Sequence, residues 1–230
     1  METHSLDTIL AQIEAAEREA AALMLHAHGI LAETKTGRRD VVTEYDRRVQ
    51  ALLMQRLTEA VPGARFFCEE TPERGEVTVG AVYNPYVDEL FTAVRGEGAS
   101  LNGRPIRVTD AGLADSVVCY GTSPYDASLS GRTFALARKV YEASLDLRRE
   151  GSAALDLCTV AAGRAGLYFE LQTSLWDYAA GALIVREAGG LCCRTDGSPF
   201  RADGGKTDIA AGSPAAVAEF LRLANAPDAD

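Results

Sequence analysis

No apolar run in these 230 residues approaches the length a bilayer requires, and the opening METHSLDT has no basic stretch followed by an apolar one. A soluble, unexported chain is therefore expected, with the cytoplasm as its place. Positive charge is also in deficit: 23 lysines and arginines face 33 aspartates and glutamates, a formal charge of -10. Such a field repels nucleic acid and anionic membranes, so neither is expected as a partner. The five cysteines, Cys68, Cys119, Cys158, Cys192 and Cys193, are odd in number and never stand in C-x-x-C spacing. They read as reduced small hydrophobes. The adjacent Cys192 and Cys193 lie on a strand pattern that points them to opposite faces, which suits neither a metal nor a disulfide. GGK at 204–206 lacks the rest of a P-loop, and GEG at 96–98 does not open a helix, which excludes a dinucleotide fingerprint. Internal repeats and low-complexity tracts are absent as well.

What remains is a chain with 47% hydrophobic residues, enough for a sizeable core in one domain over 1–230, with 1–110 and 111–230 as candidate lobes. Leu6, Ile9, Leu10, Ile13, Ala16, Ala20 and Leu23 recur at three- and four-residue steps, predicting an amphipathic helix over 5–29. TKTGRRD reads as a polar loop. Val49, Leu52, Leu53 and Leu57 mark a second helix that stops at Pro62-Gly63, and ARFFC reads as a short strand delivering Glu69 and Glu70. VTVGAVYNP and DELFTAV form a hairpin pattern about Asn84-Pro85, continued by GEGASLNGRPIRV. SVVCY and SLDLRR are strand patterns around a helix at about 130–143. SAALDLCTVAAG, TSLWDYAAGALIVREAG and SPAAVAEFLRLANA read as helices, with LYFE, GLCCRT and TDIAAG as strands between them. Alternation of this kind implies a layered α/β fold.

Four stretches gather residues with chemistry. In DVVTEYD, Asp40 suits an N-cap with Thr43 and Glu44 in the first turn, so capping explains these acids as readily as function does. In CEE, Glu69 and Glu70 end a strand, where surface acids are ordinary. In LYFELQTSLWDYAAG, Asp177 falls in a first helical turn, where it can cap the helix or turn one oxygen to a metal beside a bound phosphate. In EGSAALDLCTVAAGR, Ser152 can cap a helix whose alanines permit close approach of a sheet or a ligand. His4, His26 and His28 lie in or before the first helix and read as solvated or packed.

Taken in order, DVVTEYD, FFCEE, VYNPYVDELFTAVRGEGASLNGRPIRV, GSAALDLCTVAAGRAGLYFE and LWDYAAGALIVREAGG resemble the inositol monophosphatase family over nearly the whole chain. WDYAAG with EAGG is the most specific part of the likeness. The resemblance implies a layered αβαβα sandwich, a homodimer, and Mg2+-dependent hydrolysis of a small phosphorylated polyol or sugar. It also implies roles for particular residues. Glu69 and Asp177 would be metal ligands, with Glu69 and Asp46 serving catalysis and Asp46 orienting the attacking water. Gly151, Ser152, Ala153 and Glu170 would line the pocket for the alcohol part. Sugar bisphosphatases, nucleotidases acting on 3'-phosphoadenosine 5'-phosphate, and a non-catalytic binding or dimerisation protein stand as alternatives.

The likeness has one gap. The family carries a D-P-x-D-G-T segment and a further strand after the acid pair, whereas here Glu70 is followed by TPERGE and no D-P-x-D-G-T occurs anywhere. Glu73 and Glu76 stand at the wrong spacing to replace it. Part of the first sheet is therefore expected to be missing, with an impaired or absent metal site.

Overall fold

The computed structural model describes residues 5–30, 32–37, 40–61, 77–199 and 205–226. The expected strand ARFFC, and with it Glu69, Glu70 and Cys68, lies outside the described residues.

Helix α1 (Leu6–Leu25) opens on Ser5, whose side chain accepts from the Thr8 N–H at 3.2 Å. It buries Ala16, Ala20 and Ala21, small residues that let the helix lie close to a sheet. TKTGRRD, expected as a loop, instead contributes to an antiparallel pair, β1 (Ala32–Gly37) and β2 (Asp40–Thr43). The threonines and valines flanking the arginines carry β propensity that the polar centre masked. Helix α2 (Glu44–Ala60) begins three residues later than the Asp40 reading placed it. Thr43 is the N-cap, accepting from the Asp46 N–H at 3.3 Å, while the Asp46 carboxylate accepts from the Thr43 N–H at 2.7 Å. This reciprocal capping box satisfies two end donors at once, and Asp40 sits in the strand before it.

The hairpin pattern folds as expected. Strands β3 (Val79–Asn84), β4 (Glu89–Val94), β5 (Gly98–Leu101) and β6 (Arg104–Pro105) form an antiparallel meander in that order. Asn102 locks the two turns together, accepting from the Leu90 N–H at 2.9 Å and donating to the Asp88 carbonyl at 2.8 Å.

A second sheet holds β7 (Val117–Tyr120), β8 (Asp146–Arg148), β9 (Leu167–Thr173), β10 (Leu191–Cys193) and β11 (Thr207–Gly212) in the order β10-β11-β9-β7-β8. Strand β7 is parallel to both β8 and β9, joined through α3 (Ser130–Glu142) and α4 (Ala153–Ala161). Helices α5 (Leu175–Glu187) and α6 (Pro214–Ala224) complete the set.

Stacking follows from which faces are apolar. Helices α4 and α5 pair with each other and lie between the two sheets, α1 covers the outer face of the first sheet, and α3 and α6 cover the outer face of the second. The result is a layered αβαβα sandwich. Its inner core joins Phe91 of β4, Leu157 and Val160 of α4, Tyr168 of β9 and Ile184 of α5; Phe169 and Phe220 head the outer one. Arg164, after α4, grips Glu89 of β4 with two bonds of 2.9 and 2.6 Å, tying the helical layer to the first sheet. Cys119, Cys158, Cys192 and Cys193 are all free thiols.

The first sheet is short on one side. Among the described residues β3 has β4 as its sheet neighbour, and no residue of α2 is fully buried. The apolar side chains Val49, Leu53 and Leu57 of α2 instead line a groove of about 630 Å³ with Met24, Ile30 and Tyr86.

Two measurements check these layers. Leu157 is wholly buried between the sheets, so Leu157→Ala should cost about 2–5 kcal/mol in urea unfolding. Glu17 of α1 is half-buried, and burial pushes its carboxyl up to about 7 from an ordinary 4.5. A raised carboxyl favours the folded state only while it keeps its proton, so this stability is full below pH 4.5 and lost as pH rises to about 7. Melting curves across that range should show a smaller fall for Glu17→Gln than for the parent chain.

Candidate functional site

The carboxyl ends of β7 and β9 and the amino ends of α4 and α5 meet at one cavity of about 290 Å³. That meeting follows from connectivity: β8 and β9 feed α4 and α5 of the helical layer, and the loop after β7 lines the same cavity. Two helix starts facing one space bring first-turn N–H groups and positive dipole ends to it, an environment that suits an anion. Ser152 caps α4, accepting from the Leu155 N–H at 3.4 Å. Ser174 caps α5 in a capping box closed by Asp177, whose Oδ2 accepts from the Ser174 N–H at 3.4 Å. Gly151 precedes the α4 cap at φ +95°, left-handed backbone that a side chain would strain.

Glu170 on β9 forms the floor. It is 8% exposed, and its Oε1 accepts from the Ser123 N–H at 2.8 Å while its Oε2 accepts from the Tyr168 hydroxyl at 2.6 Å. Ser123 is itself held at φ 46°, a conformation rare outside glycine, by exchanging bonds with the Gln172 backbone at 3.0 and 3.1 Å. The loop after β7 is thereby fastened to β9 through the carboxylate. Gly121 makes this approach possible: a Cβ there would stand 2.1 Å from the Glu170 carboxyl carbon. Arg149, bonded to Thr122 at 3.1 Å, and Lys206, bonded to Gln172 at 3.2 Å, bring positive charge to the rim.

Of the residues singled out from sequence, Gly151, Ser152, Ala153, Glu170 and Asp177 line this one cavity. Asp46 does not. It lies in the neighbouring apolar groove at the start of α2, and Trp176 borders both spaces. Glu69 is outside the described residues. Among the described residues no group of three or more His, Cys, Asp or Glu side chains is arranged to hold a metal. Asp177 fits a Mg2+ ion as a single carboxylate ligand, because that ion takes one or two carboxylates and fills its other positions with water and substrate oxygens. A bridged centre of several carboxylates does not fit the described residues.

Among the lining residues that sequence reasoning missed, one is an acid. Asp156, one turn into α4, is 1% exposed, and its Oδ1 has no hydrogen-bond partner. Burial first, then the charge of Glu150, pushes its carboxyl up to about 7. The available signal was an acid inside the apolar run AALDLCTVAA, on the face that the small residues mark as buried.

Comparison with known proteins places this geometry. A family model described as the inositol monophosphatase family matches residues 72–226. A protein of Pasteurella multocida named Nus factor SuhB is 46% identical over 149 residues, 64% of this chain and 55% of that protein. One of Neisseria meningitidis serogroup B, named putative Nus factor SuhB, is 31% identical over 251 residues, 92% of this chain and 95% of that protein. This second alignment is longer than the 230-residue chain itself, so the Neisseria protein carries residues with no counterpart here. Among solved structures, an inositol monophosphatase from Anabaena (Nostoc) is 26% identical with a TM-score of 0.80, covering 95% of this chain and 94% of that one.

Gly121→Ala tests the floor directly. Forcing the Glu170 carboxyl aside should lower stability by about 1–3 kcal/mol in thermal or urea unfolding. Returning Gly at 121 in the same background should restore it.

Proposed function

We propose, from the premise that this chain belongs to the inositol monophosphatase family, that it acts on a small phosphorylated polyol such as inositol 1-phosphate, as a Mg2+-dependent phosphomonoesterase of impaired rate. The observation that carries this reading is the convergence of Glu170, Gly151, Ser152, Ala153 and Asp177 on one cavity beneath two helix starts. Glu170 accepts from the ligand's hydroxyls and fixes the ring. The N–H groups at the starts of α4 and α5 receive the phosphate. Asp177 and Glu69 would hold Mg2+, which when bound polarises the phosphate and lowers the pKa of a coordinated water. Asp46, engaged by Thr43 in the neighbouring groove, would have to turn from that cap toward the cavity to orient the attacking water.

Impairment follows from the missing D-P-x-D-G-T segment, because loss of one oxyanion donor alone costs about 10²–10³-fold in other enzymes. The missing D-P-x-D-G-T segment also favours a second reading, a family member that binds its ligand, or dimerises, without turnover.

Phosphate release from inositol 1-phosphate in millimolar Mg2+ separates the two. Slow, Mg2+-dependent release is expected, falling about a hundredfold in Asp177→Asn and in Glu69→Gln. No release from the parent chain, joined to no Mg2+-induced rise in melting temperature, overturns the enzyme reading. Release unchanged in both variants removes these carboxylates from the site.

A further inference from the structure

The cavity shares a wall with a second space of about 560 Å³: Gln172 and Lys206 border both, and Arg194, Thr207 and Asp208 lie on the far side. Hydrogen bonds set the orientation of that wall. The Gln172 Nε2 donates to Asp126 at 3.4 Å, which turns the Gln172 Oε1 toward Lys206, and the Lys206 ammonium donates to that oxygen at 3.2 Å. An ammonium has three N–H groups, so the others remain for solvent or a ligand.

Beyond the wall, charge is sorted by depth. The Asp208 side chain is 14% exposed and spends both oxygens inside the protein. Its Oδ1 accepts from Arg194 Nε at 2.8 Å, and its Oδ2 accepts from the Thr195 N–H at 2.8 Å and from the Thr195 hydroxyl. Arg194, 44% exposed, is thereby anchored by its Nε edge. Its Nη1 stands 3.6 Å from Asp196, too far for a hydrogen bond, and the Asp196 carboxylate accepts from the Ser198 N–H at 2.8 Å. The acid of the pair thus lies in the wall and the cation borders the space, beside Lys206, on a chain whose formal charge is -10. Spacing links this positive spot to the floor. Tyr168, Glu170 and Gln172 alternate onto the cavity side of β9, so Glu170 and Gln172 stem from points about 7 Å apart along the strand. A six-membered ring with its substituents spans such a distance.

We propose that Lys206 and Arg194 form a second anion subsite, and that the ligand of this cavity is a polyol or sugar carrying a second phosphate that lies on Lys206 and enters the adjoining space toward Arg194. This rests on the reading of the cavity as a site for a phosphorylated polyol. One phosphate meets the starts of α4 and α5, the ring hydroxyls rest on Glu170, and the second phosphate meets the two cations. A phosphate suits that place better than a single-oxygen group, because its three free oxygens and nearly two charges can accept from an ammonium and from guanidinium N–H groups together.

Titrations followed by saturation-transfer NMR, with EDTA present to prevent turnover and about 0.15 M salt to screen distant charges, compare myo-inositol 1-phosphate with myo-inositol 1,4-bisphosphate. The parent chain should bind the bisphosphate about tenfold more tightly. That ratio should fall about threefold or more in Lys206→Gln and in Arg194→Gln, and should stay at the parent value in Arg104→Gln, which removes an exposed charge from β6. Equal affinities for the two ligands in the parent chain overturn the proposal and leave the polyol reading intact. So does a ratio that survives both substitutions, or one that falls as far in Arg104→Gln. Absence of binding by either ligand overturns the polyol reading and the proposal with it. Should Arg194→Gln not fold for want of its bond to Asp208, Lys206→Gln, at an exposed position, still decides.

Discussion

The helical layer between the two sheets is the constraint on which the rest depends. Helices α4 and α5 are covered on both sides, so neither can afford a polar face: Leu157, Cys158 and Val160 of α4, and Tyr178, Ile184 and Val185 of α5, are wholly buried. Such helices can expose polar groups only at their ends. Their amino ends fall together because β8 and β9 lie in the same sheet and feed neighbouring helices. The cavity is thus a product of two-sided burial: where the apolar layer stops, first-turn N–H groups, capping serines and a first-turn carboxylate gather in one place. Glu170 shares that origin. It stands on the central strand β9, whose preceding residues Leu167, Tyr168 and Phe169 are wholly buried, so its carboxylate has to find its partners inside the protein.

The outer layer formed by α1 and α2 is held differently. Helix α1 presses three alanines toward the sheet, and its Arg18 reaches Asp88 at 3.0 Å, but α2 buries nothing fully and leans on α1. The paired bonds from Arg56 to Glu19, at 2.8 Å each, join exposed side chains and add little. Stability in this molecule is therefore graded, greatest around α4 and α5 and least at α2. The same gradient runs through the candidate site. Asp177, Glu170 and Ser152 rest on the stable layer, whereas Asp46 rests on the least buried helix.

Legibility in the sequence followed the same physics. Helices with strong periodicity and strands with apolar runs were readable within a few residues, and the αβαβα order came from family resemblance on motifs such as LWDYAAG and GSAALDL. The short pair β1 and β2 was not readable, because its pairing is a property of backbone register and its polar arginines dominate the local pattern. Asp40 suits an N-cap by residue type as well as Thr43 does, and only the reciprocal bond from Asp46 shows that Thr43 takes the place. Asp156 was hidden for a different reason. Its partners Cys119, Glu150 and Glu170 come from β7, the loop before α4, and β9, and no window of sequence contains them all.

These considerations separate ligand binding from catalysis in this chain. The cavity is lined mostly by residues 121–177, and hydrogen bonds from Ser123 and Tyr168 to Glu170 hold its floor. The catalytic half needs several carboxylates brought from separate segments to share cations, and like charges at that distance repel until the cations arrive.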